Sequence, residues 1–147
     1  MALIVQKYGG TSVADPERMR RVARHVADAR AEGHDLVVVV SAMGKATDNL
    51  IELARQVSAD PPGREMDMLL TTGERISMAL LCMALHDVGV EAVSFTGSQV
   101  GIITDTSHTR AKILEVRGDR VREALGAGKV AVRSEEHTSE LQSRFGI

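Results

Sequence analysis

The run Leu36-Val37-Val38-Val39-Val40 constrains this chain more than any other stretch. Its valines are β-branched and favour extended backbone. No polar residue alternates with them, so a strand built here needs cover on both faces, as in a parallel sheet flanked by helices. The preceding residues agree. Ala2 to Val5 read as a shorter strand, and Met19, Val22, Ala23 and Val26 fall at i, i+3, i+4 and i+7 of a helix that Gly33 ends. Asp15 suits its N-cap, Pro16 its first position and Glu17 its first turn. Strand, helix and strand form a βαβ unit, expected to cross over right-handed.

A second helix is expected after Lys45, with Thr47 or Asp48 as cap and Leu50, Ile51, Ala54 and Val57 on one side, until Pro61-Pro62-Gly63 breaks it. A third helical region runs from about Arg64 to Val88, interrupted near Thr71-Thr72-Gly73. Glu91 to Phe95 reads as the next strand. Ile102 to Thr104 and Ala111 to Val116 are weaker strands, expected as a hairpin outside the main sheet. Asp119 then caps a short helix to Leu125, and Lys129 to Val132 begins another strand.

Composition narrows the function. A net charge of -2 over 147 residues leaves no basic footprint for nucleic acid, and Tyr8, Phe95 and Phe145 are too few aromatics for base stacking. Small molecules or proteins are the expected partners. The lone Cys82 excludes an internal disulfide and suits a reducing compartment, so a cytoplasmic location is expected. No basic leader precedes the first strand, and no apolar run approaches the roughly 20 residues of a membrane span.

The chemistry is concentrated in Val5-Gln6-Lys7-Tyr8-Gly9-Gly10-Thr11-Ser12-Val13. Here a lysine ends an apolar strand, two glycines let the backbone approach a ligand, and Thr11 and Ser12 add hydroxyl donors. With a helix opening a few residues on, amides, helix dipole and one ammonium are expected to converge on a phosphate. A Gly-Gly pair after a strand is also what an ordinary tight turn uses. Ser41 closes the second strand at the carboxyl edge, where open parallel sheets bind ligands. Gly44-Lys45 has the ending of a Walker A loop, but Val39 stands where its first glycine belongs and Ala46 where its hydroxyl belongs, which rules that loop out. His25, His34, His86 and His108 show no zinc spacing, and the methionines read as core or interface filling.

Lys7-Tyr8-Gly9-Gly10-Thr11-Ser12-Val13 resembles the opening motif of the aspartokinases, members of the amino-acid kinase family. Val39-Val40-Ser41-Ala42-Met43-Gly44, Thr47-Asp48, Leu69 to Ser77 and Ser94-Phe95-Thr96-Gly97-Ser98-Gln99 are similar to the motifs that follow, in the same order. The resemblance covers about Met1 to Val132. It implies an α/β fold, the N-terminal part of a three-layer α/β/α sandwich with a mainly parallel sheet, here truncated. It also implies transfer of the ATP γ-phosphate to the β-carboxylate of L-aspartate, giving 4-phospho-L-aspartate on the way to lysine, threonine and methionine. Lys7 would be catalytic and, with Tyr8, Gly9, Gly10 and Ser41, would hold the nucleotide. Thr47 and Glu74 would hold the amino acid, and Mg²⁺ would ride on the nucleotide phosphates. Glu74, read as sitting where a helix restarts after Gly73, would receive the substrate ammonium. In that family regulatory ACT domains follow and join subunits.

From Arg133 the chain departs from the family pattern. Arg133 to Ser143 is polar, lacks helix or strand period, and resembles the conceptual translation of a sequencing-library adapter, so 133–147 is expected to be a non-native tail. Its Glu135, Glu136 and His137 adjoin one another on a flexible segment and make no preorganised metal site. The expected alternatives are a truncated, inactive piece, an amino-acid-binding remnant without catalysis, and a kinase of the same family acting on another substrate.

Overall fold

The structure, a computed structural model, describes residues 2–96, 102–104, 113–116 and 119–134. Their elements run β1 (Leu3–Tyr8), α1 (Pro16–Ala31), β2 (Asp35–Val40), α2 (Ala46–Val57), α3 (Gly63–Asp87), β3 (Ala92–Phe95), β4 (Ile102–Thr104), β5 (Ile113–Val116), α4 (Asp119–Gly126) and β6 (Val130–Ser134). A four-stranded sheet has the order β1-β2-β6-β3, with every neighbouring pair parallel. The antiparallel pair β4 and β5 stands apart from it, as the sequence leads one to expect. Gly97, Ser98 and Gln99 of the last motif, Ala111 and 135–147 lie outside the described residues.

Handedness explains the layers. The steps from β1 to β2 and from β2 to β3 move the same way across the sheet, and right-handed crossovers then put α1 and α3 on one face. The step from β3 back to β6 reverses direction and puts α4 on the other. On the first face Val22, Val26, Val38, Val40, Leu81 and Val132 share one buried core. On the second, Phe95, Ala124 and Ala131 are buried with Val37, Val93 and Leu125 packed against them. The valine run therefore has cover on both sides. That cover stops short of β1, where Leu3 and Val5 remain 62% and 60% exposed.

Asp15 caps α1 by accepting the Arg18 amide at 2.8 Å, Pro16 opens it, and Gly33 leaves it with φ +93°. The next two helices differ from expectation. Lys45, not Thr47 or Asp48, occupies the N-cap of α2, and no side chain caps that end. α3 is continuous over 25 residues, with no break at Thr71-Thr72-Gly73. Thr71 and Thr72 donate their hydroxyls to the carbonyls of Met68 and Leu69 at 2.8 and 2.6 Å, so these groups are satisfied within the helix instead of breaking it. β1 also runs on through Lys7 to Tyr8, and β6 through Arg133 to Ser134, so the boundary expected after Val132 falls inside a strand.

A helix of 25 residues is about 37 Å long, while six-residue strands span about 20 Å. α3 therefore overhangs the sheet. Its buried residues, Gly73, Ser77, Met78, Leu81 and Leu85, all lie in the later part, and α2, which packs on α3, buries none. α3 is also long and apolar enough to cross a membrane, with a mean hydropathy of 1.4 over 18 residues, although it holds no long uninterrupted apolar run.

Replacing Leu81, fully buried between α3 and the sheet, by alanine is expected to cost about 2–5 kcal/mol in urea unfolding. Burial raises the Cys82 thiol pKa to about 11. Alkylation of the folded chain should therefore stay slow at pH 8–9 and accelerate as pH approaches 11. The native state keeps that proton more tightly than the unfolded chain, so stability falls over the same rise in pH. In β6 the Nε and Nη2 atoms of Arg133 are buried without a hydrogen-bond partner, and desolvation lowers the guanidinium pKa. Arg133→Leu is accordingly expected to stabilise the chain by about 1–3 kcal/mol, seen as a higher urea midpoint.

Candidate active site

Because the sheet strands are parallel, their carboxyl ends share one edge, and the loops after β1 and β2 meet there. The Ser41 amide donates to the Tyr8 carbonyl at 3.2 Å, carrying the β1–β2 ladder one step past the strands. The Gly44 amide donates to the Gly10 carbonyl at 2.9 Å and closes the second loop onto the first. Gly44 has φ +48°, a conformation that side chains resist.

The two glycines after Tyr8 have different physical roles. A Cβ at Gly10 would lie 2.9 Å from the Ala42 carbonyl oxygen, so packing forbids one. A Cβ at Gly9 would meet nothing within 4 Å. Gly9 thus leaves bare backbone facing open space at the sheet edge, the kind of approach a phosphate requires.

Lys7 is exposed and pairs in register with Val39, which in turn pairs with Arg133. Strand alternation puts its side chain on the face away from α1, whereas Tyr8 packs toward α1. The Tyr8 hydroxyl donates to Gln6 Oε1 at 2.9 Å, its ring stands edge-on to His25, and desolvation raises its pKa. Lys7 and the start of α1 approach the edge from opposite faces, and Asp15 and Glu17 already complement the α1 dipole. The α2 end, which no side chain caps, starts from the same edge as Ser41.

The segments that carry Thr47 and Glu74 meet through small side chains. A Cβ at Gly73 would lie 3.2 Å from the Ala42 Cβ, 3.4 Å from Leu50 Cδ1 and 4.0 Å from the Ala46 Cβ. The middle of α3 is thereby laid against the start of α2 and the loop after β2. Thr47 follows Ala46 and Glu74 follows Gly73, so the two sit on adjoining turns of the two helices. Glu74 is inside a continuous helix, eleven residues past its start at Gly63, which corrects the helix-restart reading. It precedes Met78, Leu81 and Leu85 by one, two and three turns, so this half-buried carboxylate continues an apolar contact face. That spacing was readable from the sequence. Ala42 as the common contact of Gly10 and Gly73 was not, because it joins segments distant along the chain. Among the described residues no group of three or more His, Cys, Asp or Glu is placed to hold a metal ion.

Comparisons with known proteins identify the family and the fold. Residues 2–145 match the model of the amino acid kinase family. The chain is 59% identical over 132 residues to an aspartokinase of Mycolicibacterium smegmatis, covering 90% of this chain and 31% of that protein. It is 56% identical over the same length to an aspartokinase of Thermus thermophilus, covering 33% of it. The chain thus spans about a third of the length of the curated relatives it matches. Among solved structures it superposes on an aspartate kinase from Synechocystis with a TM-score of 0.75 and 50% identity, over 90% of this chain and 22% of that one. Aspartokinase III of E. coli, solved with aspartate and ADP, gives a TM-score of 0.67 at 23% identity, over 90% and 40%, a likeness of fold alone. From the parallel sheet to the glycine loop at its carboxyl edge, this chain belongs to the amino acid kinase family.

Proposed function

We propose that this chain forms the part of an aspartate kinase that grips L-aspartate and the phosphate end of ATP. The observation that carries the reading is the convergence at one sheet edge of bare Gly9, the end of β2 at Ser41, and the α2–α3 contact beside Thr47 and Glu74. Identity of 59% to an aspartokinase across the whole of this region supports the same substrate.

The chemistry suits such an edge. Phosphoryl transfer to a carboxylate brings two anions together, so the main task is to neutralise charge and align the reactants. Lys7 supplies the cation, and the loop Tyr8-Gly9-Gly10 with Ser41 supplies close backbone and hydroxyl contacts to the nucleotide. Glu74 receives the substrate ammonium and Thr47 donates or accepts a hydrogen bond beside it. The acceptor carboxylate is already ionised at neutral pH, so no general base is needed. Mg²⁺, bound through the nucleotide phosphates, would supply further charge neutralisation. A half-buried single cysteine suits a reducing cytoplasm.

The relatives called aspartokinase are much longer, and a second reading, amino-acid binding without catalysis, is favoured by the uncovered Leu3 and Val5 face of β1. Calorimetric titration of the chain with L-aspartate, D-aspartate, L-glutamate and ATP, beside a hydroxamate assay for acyl phosphate, separates the readings. L-aspartate is expected to bind best, and Glu74→Gln to weaken it about tenfold or more through loss of a charged hydrogen bond. Lys7→Ala is expected to weaken ATP by about tenfold and leave L-aspartate affinity unchanged. Acyl phosphate is expected to be undetectable with the 147-residue chain; clear turnover would overturn the binding-only reading, and equal affinity for L-glutamate the substrate.

A further inference from the structure

Gly73 is an anomaly within α3. A glycine inside a helix costs about 1 kcal/mol relative to alanine and needs a packing or functional reason. Here it is buried with neither positive φ nor a helix end to account for it. Its neighbours supply the reason. The Ala42 Cβ would stand 3.2 Å from a Cβ at Gly73, closer than such atoms ordinarily approach, while the Ala42 carbonyl oxygen would stand 2.9 Å from one at Gly10. Ala42 itself is 5% exposed and lies directly after Ser41. One turn beyond Gly73, Ser77 is fully buried, so two successive turns of this helix face carry only small side chains.

We propose that Ala42 is a positioning residue, a spacer whose methyl and carbonyl together set the distance between the glycine loop and the Thr47–Glu74 pair. Its methyl fixes how near α3 comes and its carbonyl fixes how near Gly10 comes. Any change at this contact moves the phosphate side and the amino-acid side of the edge relative to each other. The assignment of that second side to aspartate rests on the function proposed above; the spacing itself does not.

The two contacts differ in a way that can be tested. Gly73→Ala meets a side-chain methyl, which Ala42→Gly removes. Gly10→Ala meets a backbone oxygen, which Ala42→Gly leaves in place. The experiment follows the backbone amide resonances of Thr47 and Glu74 in the ¹⁵N-labelled chain, together with L-aspartate affinity. Gly73→Ala should shift both amides and weaken L-aspartate about threefold to tenfold, since small misplacements of binding groups are costly. Ala42→Gly combined with Gly73→Ala should return both amides and affinity to near wild type, and should melt above Gly73→Ala alone because the methyl that crowds the new alanine is gone. Ala42→Gly combined with Gly10→Ala should show no rescue. Should Gly73→Ala fail to fold, Ala42→Val presses on the same contact from the other side and should move the same two amides. A Thr47 amide unmoved by Gly73→Ala, or a double variant no better than the single, overturns the proposal. Wild-type chain that binds no L-aspartate would defeat the substrate assignment, while the resonances would still decide the spacing.

Discussion

Burial of β2 on both faces is the interaction on which the rest of the molecule depends. Val38 and Val40 face α1 and α3, while Val37 faces the α4 side. Such a strand is stable only as the middle of a sandwich, so it requires a helix layer above, a helix layer below and a parallel neighbour on each side. β1 and β6 are those neighbours. Once the strands are parallel, their carboxyl ends must share an edge, and the catalytic candidates gather there without further instruction.

The edge is built from close approach more than from side-chain networks. Gly10, Gly44 and Gly73 remove three Cβ atoms at the places where two loops and a helix come together, and the backbone bond from Gly44 to Gly10 holds the loops in register. Gly9 belongs to a different class, since nothing crowds it. The distinction separates glycine that lets the protein meet itself from glycine that lets it meet a ligand.

Local signals were legible in the sequence and long-range ones were not. Asp15, Pro16 and Gly33 mark the ends of α1 because caps and left-handed residues act over a few positions. The β4–β5 hairpin was likewise readable. The break read into α3 at Gly73 was an error of the same local reasoning: the glycine answers to Ala42, thirty-one positions earlier, and Thr71 and Thr72 bond their own helix. Lys7, Ser41, Thr47 and Glu74 were identifiable as candidates from motif and chemistry. That Lys7 and α1 arrive from opposite faces follows from strand alternation and could have been worked out from the pattern of β1. The insertion of β6 between β2 and β3 could not, because nothing in a strand names its neighbour.

That insertion has a kinetic consequence. Val37 pairs with Ala131 and Val93 with the same Ala131, so β2 and β3 touch no common strand until the last described element arrives. While the chain leaves the ribosome, β1, α1 and β2 can assemble, but the inner edge of β2 stays unpaired through the synthesis of everything from Ser41 to Lys129. Folding should then be slow to complete and limited by a single late, non-local docking event. During that wait the valine strand presents an unpaired apolar edge that could pair with another chain.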